Sequence, residues 1–465
     1  MRREPSKNTR CRFGVAVRDV TPPVGIYARN WGAATHDVAD GVHRPCTVTA
    51  AIFAPLAADG PTLVLVALDY GWFANPADET ALRAALQAHA GVGNDALLLS
   101  LSHAHSTANA ASHLADRPGG DIAAAYRASL PDRIAEAITA ARADLASAWI
   151  TWGYGTCALA HNRDYYDDAV NRFACGYNPT PPEPPDNTLL VGRVSADDGT
   201  VRATFFNYGC HPTTLAWDNH LLSPDYIGAA REVLTRAFDA PAIFLHGADG
   251  ELGPKEGYVG APAVADRNGR ILGYAAASAL EALPPAGMTY AYGGIVASGA
   301  DIGVWQYEHA TTDELRGADT LAATVETVQV PLREYPSAAV LQDRLATTTD
   351  RPTWEKTQRQ LMIREAIGDA DSRALPLYCW RLGDALLLAL PDEPYNILQR
   401  HVRAAFPGTP VLVLTVTNGA FGYLCPEDTY GSGRYQVVQS PYLPGCLEQV
   451  MDAAVVALRA VADTR

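Results

Sequence analysis

The segment Ser102-His103-Ala104-His105-Ser106 places two imidazoles one residue apart. It follows Leu97-Leu98-Leu99-Ser100-Leu101, an apolar run with the length and composition of a buried strand. Side chains on an extended backbone alternate with period 2, so His103 and His105 are expected on one face. Two imidazoles together at a strand exit suit a divalent metal better than they suit packing. Polar residues recur at other expected strand exits: Asp69, His211, His246 with Asp249 and Glu251, Asp392 with Glu393, and residues 418–423. The chain has only 12 histidines, and four of them stand at such exits. One alone would read as a satisfied core histidine. Several converging on one sheet edge read as a site.

The residues by themselves nominate His103 or His105, His211 and Glu393 as ligands. Neutral imidazoles with one carboxylate favour zinc and leave an open position for a water whose pKa falls to about 7. Iron and manganese accept similar donors. Asp69, Asp249 and Glu251 would either orient metal-binding imidazoles or cap the helices that follow. The chain has no Gly-x-Ser-x-Gly elbow, no phosphate-binding Gly-x-x-x-x-Gly-Lys-Ser/Thr loop and no His-Glu-x-x-His helix.

These residues need a frame, and the pattern supplies strands alternating with Ala-rich helices. Strands are expected at 62–69, 97–101, 203–208, 242–245, 385–390 and 410–416. Helices are expected at 77–90, 122–145 and 225–238, with a final one near 451–462. Residues 178–185 are Pro-rich and read as a surface loop. The polar stretch 333–371 reads as a helical insertion over one face. The expected fold class is therefore α/β, a mixed β-sheet core layered with helices, with the site at the carboxyl ends of strands. No composition shift marks a boundary, so one domain is expected over 11–465, with 1–10 a disordered N-terminus.

The net charge of −15 argues against nucleic acid or an anionic membrane as partner, which leaves a small-molecule substrate. No apolar h-region follows the basic start, and no apolar stretch is long enough to span a bilayer. A cytoplasmic location is the resulting expectation. The eight cysteines are scattered without a Cys-x-x-Cys pair and are expected to be reduced and buried. Loops at 27–43, 165–185 and 305–312 carry Trp31, Tyr165, Tyr166, Tyr177 and Trp305, the expected aromatic walls of a substrate pocket.

An ordered set of motifs resembles the catalytic domain of the neutral/alkaline ceramidase family. Phe13-Gly14-Val15-Ala16-Val17-Arg18-Asp19-Val20-Thr21-Pro22-Pro23 resembles its opening strand, and Ser102 to Ser106 its Ser-His-Thr-His-Ser signature. Asn162-Arg163, Cys210-His211-Pro212-Thr213, Asn219-His220 through Asp225, and Gly247 through Pro254 follow in the family's order. Pro391-Asp392-Glu393, Asn418 through Tyr423, and Arg434-Tyr435 complete the set. The resemblance implies one zinc per chain held by His103, His211, Glu393 and Tyr423. It implies that His105 contacts substrate or shuttles a proton, and that Arg163 and Tyr435 stabilise the oxyanion of the scissile carbonyl.

Two departures stand out. The family's serine before the proline of the Gly-Asp-x-x-Pro loop is here Gly253, and Glu251 replaces its aspartate. The family's C-terminal immunoglobulin-like domain and secretory signal have no counterpart in this sequence. The expectation is a zinc-dependent amidohydrolase that cleaves an N-acyl bond in a small soluble substrate rather than in ceramide. A lactonase or esterase could use the same zinc site, and a non-catalytic metal-binding protein is the third reading.

Overall fold

The computed structural model describes residues 2–57 and 60–464. Two β-sheets pack face to face, with helices on both outer surfaces. The larger sheet has eight strands in the order Ala242–His246, Val201–Tyr208, Thr188–Ser195, Ala146–Thr156, Lys7–Asp19, Thr47–Ala54, Leu63–Leu68, Leu97–Leu101. Its interior is antiparallel, and only its two outermost pairs are parallel. The smaller sheet runs Leu321–Pro331, Ser372–Leu382, Ala385–Ala389, Val411–Leu414, again with a parallel last pair. The α/β expectation of a mixed sheet core layered with helices is met.

The sandwich core consists of large side chains from both sheets, among them Phe13, Phe53, Phe205, Trp380, Leu387 and Leu412. Phe13 and Phe53 meet edge to face at 5.3 Å, a favoured aromatic geometry. Helices Pro76–Ala90 and Gly120–Ala143 cover one part of the large sheet's outer face. Gly14 permits that approach, because a Cβ there would collide with the Ala141 carbonyl. Helices Tyr226–Phe238 and Pro262–Glu281 cover the other part. The small sheet is covered by Cys446–Ala462, whose Leu447, Val450, Met451, Ala454, Leu458 and Val461 form one buried stripe at helical spacing.

The expected disorder of residues 1–10 is overturned over the described residues 2–10. Arg3–Pro5 pairs with Met288–Ala297, and Lys7–Asp19 runs through the centre of the large sheet. This segment is polar yet well satisfied. Thr9 Oγ1 donates to the Leu382 carbonyl at 2.5 Å, and Asn8 N donates to Asp384 at 2.9 Å. Hydrogen bonds across the two sheets do what an apolar alternation would otherwise do.

The insertion reading of 333–371 holds. Ala338–Thr347 and Arg351–Ile367 are helices begun by Ser337 and Asp350, whose side chains accept from Val340 N and Thr353 N. Among the described residues no helix is long and apolar enough to cross a membrane.

The two sheets meet at the carboxyl ends of their parallel strands. Asn418 N donates to the Leu99 carbonyl at 3.0 Å and Thr415 N to the His246 carbonyl at 3.0 Å. The Asn418 side chain bonds Leu99 N and the Leu97 carbonyl, closing the edge of the large sheet. His103, Val416 and Asn418 at this junction all have φ between 49° and 59°. For a β-branched residue such as Val416 that is an uncommon, strained conformation, of the kind concentrated at functional sites.

Candidate active site

His103 lies two residues beyond the strand Leu97–Leu101, and its backbone is left-handed rather than extended. The period-2 argument therefore does not place it. A turn does, and it still brings the His103 and His105 rings to 5.0 Å. His211 arrives beyond Val201–Tyr208, with its N–H on the Leu252 carbonyl at 3.1 Å. Glu393 and Tyr423 come from two short parallel strands in which they are direct partners.

These groups converge with every acceptor facing inward. His103 Nδ1 lies 2.9 Å from the Gly71 carbonyl, which can only accept, so the proton sits on Nδ1 and Nε2 carries a lone pair. His211 Nδ1 faces the Asp249 carbonyl at 3.3 Å and its carboxylate at 3.2 Å, which fixes the same tautomer. The two Nε2 atoms are 3.1 Å apart. Glu393 Oε2 lies 3.2 Å from one and 3.5 Å from the other. Two ring nitrogens and a carboxylate oxygen within 3.5 Å of one another need a shared positive charge, either a metal ion or a proton on His103, which Glu393 favours. The donor set fits a divalent metal, and its two imidazoles and carboxylate suit zinc. His105 offers a further ring nitrogen, all three histidines having one within 4.8 Å of the others.

Supporting groups surround this cluster. Asp249 bridges His211 and His246, whose Nε2 is 3.1 Å away. Burial alone would raise Asp249, but those two imidazoles hold its carboxyl below the usual carboxylate range. Of the three carboxylates read from the sequence, Asp249 alone orients a candidate ligand. Asp69 instead accepts from Arg231 and from Thr47 N, clamping a strand exit to helix Tyr226–Phe238. Glu251 accepts from Asn396 N at 2.8 Å, just before helix Ile397–Ala405, and burial pushes its carboxyl up to about 8.

Arg163 is buried, with Nη2 donating to the Gly250 carbonyl at 2.7 Å and to the Tyr423 hydroxyl at 3.3 Å. Burial and Glu393 push the Tyr423 hydroxyl well above its ordinary value, while Arg163 opposes them. Tyr435 does not touch Arg163 by a hydrogen bond; its hydroxyl accepts from Arg359 Nη1 at 2.9 Å. His105 sits between Trp31 and Trp72 at 5.1 and 5.0 Å, and neither ring nitrogen has a partner. Burial, then the neighbouring His103, His211 and Arg359, pull it well below its ordinary value, so it is neutral.

A two-lobed cavity opens over these residues. One lobe has an apolar wall of Trp72, Phe73, Met362, Ile363, Ala366 and Phe421 above His103 and Glu393. The other includes Trp31, Trp217, Tyr258, Cys175, Thr213 and Lys356. His105, Arg359, Tyr423, Tyr435 and Gln439 border both. Of the five aromatics expected from loops, only Trp31 borders these lobes. Residues 305–309 belong to a strand, Asp301–His309, where Trp305 stacks on Tyr290 at 5.6 Å. Tyr165 and Tyr166 stand exposed on a hairpin, and Tyr177 packs against His161. Trp72, Trp217, Tyr258 and Arg359 were missed because no short motif marks them. A cue existed only for Arg359, in the insertion expected over one face.

Gly253 lies between Arg163 and Thr213, and a Cβ there would meet them at 3.7 and 3.8 Å, ordinary contact distances. Packing does not force the glycine.

Two ceramidase structures resemble this chain in overall fold. A ceramidase complexed with C2 superposes with a TM-score of 0.65 at 18% identity, covering 98% of this chain and 76% of that one. The neutral ceramidase from Pseudomonas aeruginosa gives 0.64 at 16% identity, covering 98% and 75%. The fold is neutral ceramidase-like. No family model matches the chain, and no curated protein matches it by sequence. The motif resemblance and the ceramidase-like fold thus agree, at 16–18% overall identity.

Proposed function

We propose that this protein is a zinc-dependent amidohydrolase that cleaves the N-acyl bond of a small substrate. The observation that carries the reading is the buried convergence of His103 Nε2, His211 Nε2 and Glu393 Oε2 beside a two-lobed cavity. His103, His211, Glu393 and Tyr423 would hold the ion. Bound there, zinc supplies Lewis-acid polarisation and a water acidic enough to react near neutral pH.

The protein's own groups supply the rest. The Tyr435 oxygen accepts from Arg359, which leaves its own proton free to donate into the cavity. That places a donor for the developing oxyanion, a contribution of about 3–4 kcal/mol. Arg163 holds positive charge against Tyr423 and supports negative charge on that side of the site. His105, neutral and with both nitrogens unpartnered, would contact the substrate through a ring N–H or its free ring nitrogen. The ceramidase structures with the same fold support an amide as the scissile bond. Eight free cysteines, seven of them buried, fit a reducing compartment such as the cytoplasm.

Elemental analysis of the purified chain and of His211→Ala tests the reading. About one zinc per chain is expected in the first and little in the second. Matched amides, esters and lactones then identify the bond. A metal-free wild type, or an ester or lactone turned over while amides are not, would sink it.

A further inference from the structure

The helical cover carries a cation that the proposed chemistry uses only indirectly. Arg359 lies midway along Arg351–Ile367 and borders both lobes of the cavity. Its Nη1 donates to Tyr435 and its Nη2 donates to the Asn30 carbonyl at 3.1 Å. Its Nε is shielded from water and has no hydrogen-bond partner. Glu355, one turn earlier, pairs with it as an ion pair at 3.6 Å from that Nε, too long for a hydrogen bond, so the Nε–H is still free to donate. A guanidinium has five donors in a fixed fork, so capacity is left over in a sheltered place. The Trp72 ring lies 5.2 Å from the guanidinium carbon and steadies it from one side.

The charge around it is equally pointed. The second lobe is bordered by Arg163, Lys356 and Arg359 against Glu355 alone. A chain of net charge −15 has thus gathered three cations and one anion at this second lobe, while Glu393 borders the first. Such a chamber concentrates anions and disfavours amines. The first lobe has an apolar wall of Met362, Ile363, Ala366 and Phe421, with no charged side chain among these, and that wall suits an acyl chain.

We propose that Arg359 is a specificity-determining residue that binds a carboxylate on the amine half of the substrate, which makes the substrate class N-acyl amino acids. The inference rests on the amidohydrolase reading for its chemistry, but not for its recognition. The acyl chain takes the lobe walled by Met362, Ile363 and Phe421. The carboxylate, adjacent to the amide nitrogen, meets the guanidinium where the lobes join.

N-octanoylglycine and N-octanoylglycinamide test this, since they differ only in the carboxylate. Wild type, Arg359→Gln and Arg359→Lys are compared, zinc-loaded, by kcat/KM and by quenching of tryptophan fluorescence, with Trp31, Trp72 and Trp217 as reporters. Wild type is expected to favour the acid about 10- to 100-fold, the range of a sheltered charge-assisted contact. In Arg359→Gln that ratio falls to near one, through a raised KM for the acid. Both substrates share any loss of support to Tyr435, so the ratio isolates the carboxylate. Arg359→Lys keeps charge without the fork and restores part of the preference. It also carries the comparison if the glutamine variant does not fold. An equal ratio in wild type and either folded variant, or a wild-type preference for the neutral amide, overturns the proposal. If neither compound is hydrolysed, N-acyl amino acids are not the substrate class, and binding alone decides whether Arg359 recognises an anion. Acid-selective quenching that depends on Arg359 sustains anion recognition; its absence removes that as well.

Discussion

The floor and the cover of the cavity are built differently. The floor is made of strand exits, and its side chains are buried and held largely by main-chain carbonyls, as His103 is by Gly71 and Arg163 by Gly250. The cover is the pair of helices Ala338–Thr347 and Arg351–Ile367. Its buried residues are few, namely Leu341, Glu355, Thr357 and Leu361, and much of its attachment runs through side chains such as Arg351 with Asp37. Rigid placement suits groups that must hold a metal and a reacting bond within tenths of an ångström. A cover anchored by a few side chains can change while the floor stays, and so can the substrate it admits.

If the floor is the rigid part, a charge forced onto one of its sheltered carboxyls should be costly, and Glu251 gives the largest expected effect. Its carboxyl is raised from an ordinary 4.5 to about 8 by burial. Between those values the folded chain keeps a proton that the unfolded chain releases. Stability therefore falls as pH rises through that window and levels off above about 8. Glu251→Gln cannot ionise and can still accept from Asn396 N. It should match wild type near pH 4.5 and exceed it above pH 8 by about 1–3 kcal/mol, a figure reduced for the group's partial exposure. Chemical denaturation across pH checks this. Parallel curves would mean that the floor tolerates the charge and that the contrast with the cover is overstated.

The next effect concerns metal rather than stability. Asp249→Asn keeps size and removes the charge that orients His211 and His246. Metal affinity measured by chelator competition should fall about 10- to 100-fold, as it does when an outer carboxylate is removed from a ligating imidazole. An unchanged affinity would make the Asp249 carboxylate a purely structural partner of its two histidines.

How far the sequence could be read follows the same division. Floor residues stand just past strand ends, where polarity announces them, so the set of His103 or His105, His211 and Glu393 was legible, but not which of the two imidazoles is the ligand. Tyr423 was not legible without the family resemblance, because a buried tyrosine looks like packing until its partner strand is known. Asp69 was misread, since nothing local reveals that Arg231, 162 residues away, pairs with it. The cover was legible as helices but not as a wall. Its polar surface repeats at helical spacing, yet which of its arginines faces the cavity is fixed by tertiary docking. Residues 2–10 failed for a related reason, because hydrogen bonds of Asn8 and Thr9 go to residues hundreds of positions later.

The smallest expected effect falls on the cover. Ile363 borders the apolar lobe on helix Arg351–Ile367, and Ile363→Trp would fill part of it. Nothing in the floor contacts change, so zinc content should stay at the wild-type value. With a series of N-acyl glycines from acetyl to dodecanoyl, kcat/KM should fall about 10-fold for the longest chains and little for the shortest. The selectivity should reside in the ratio between chain lengths, because a filled pocket excludes long substrates before they reach the reacting groups. An equal loss across the series, or a loss of zinc, would mean that the cover shapes the floor, and the two regions would then have to be treated as one unit.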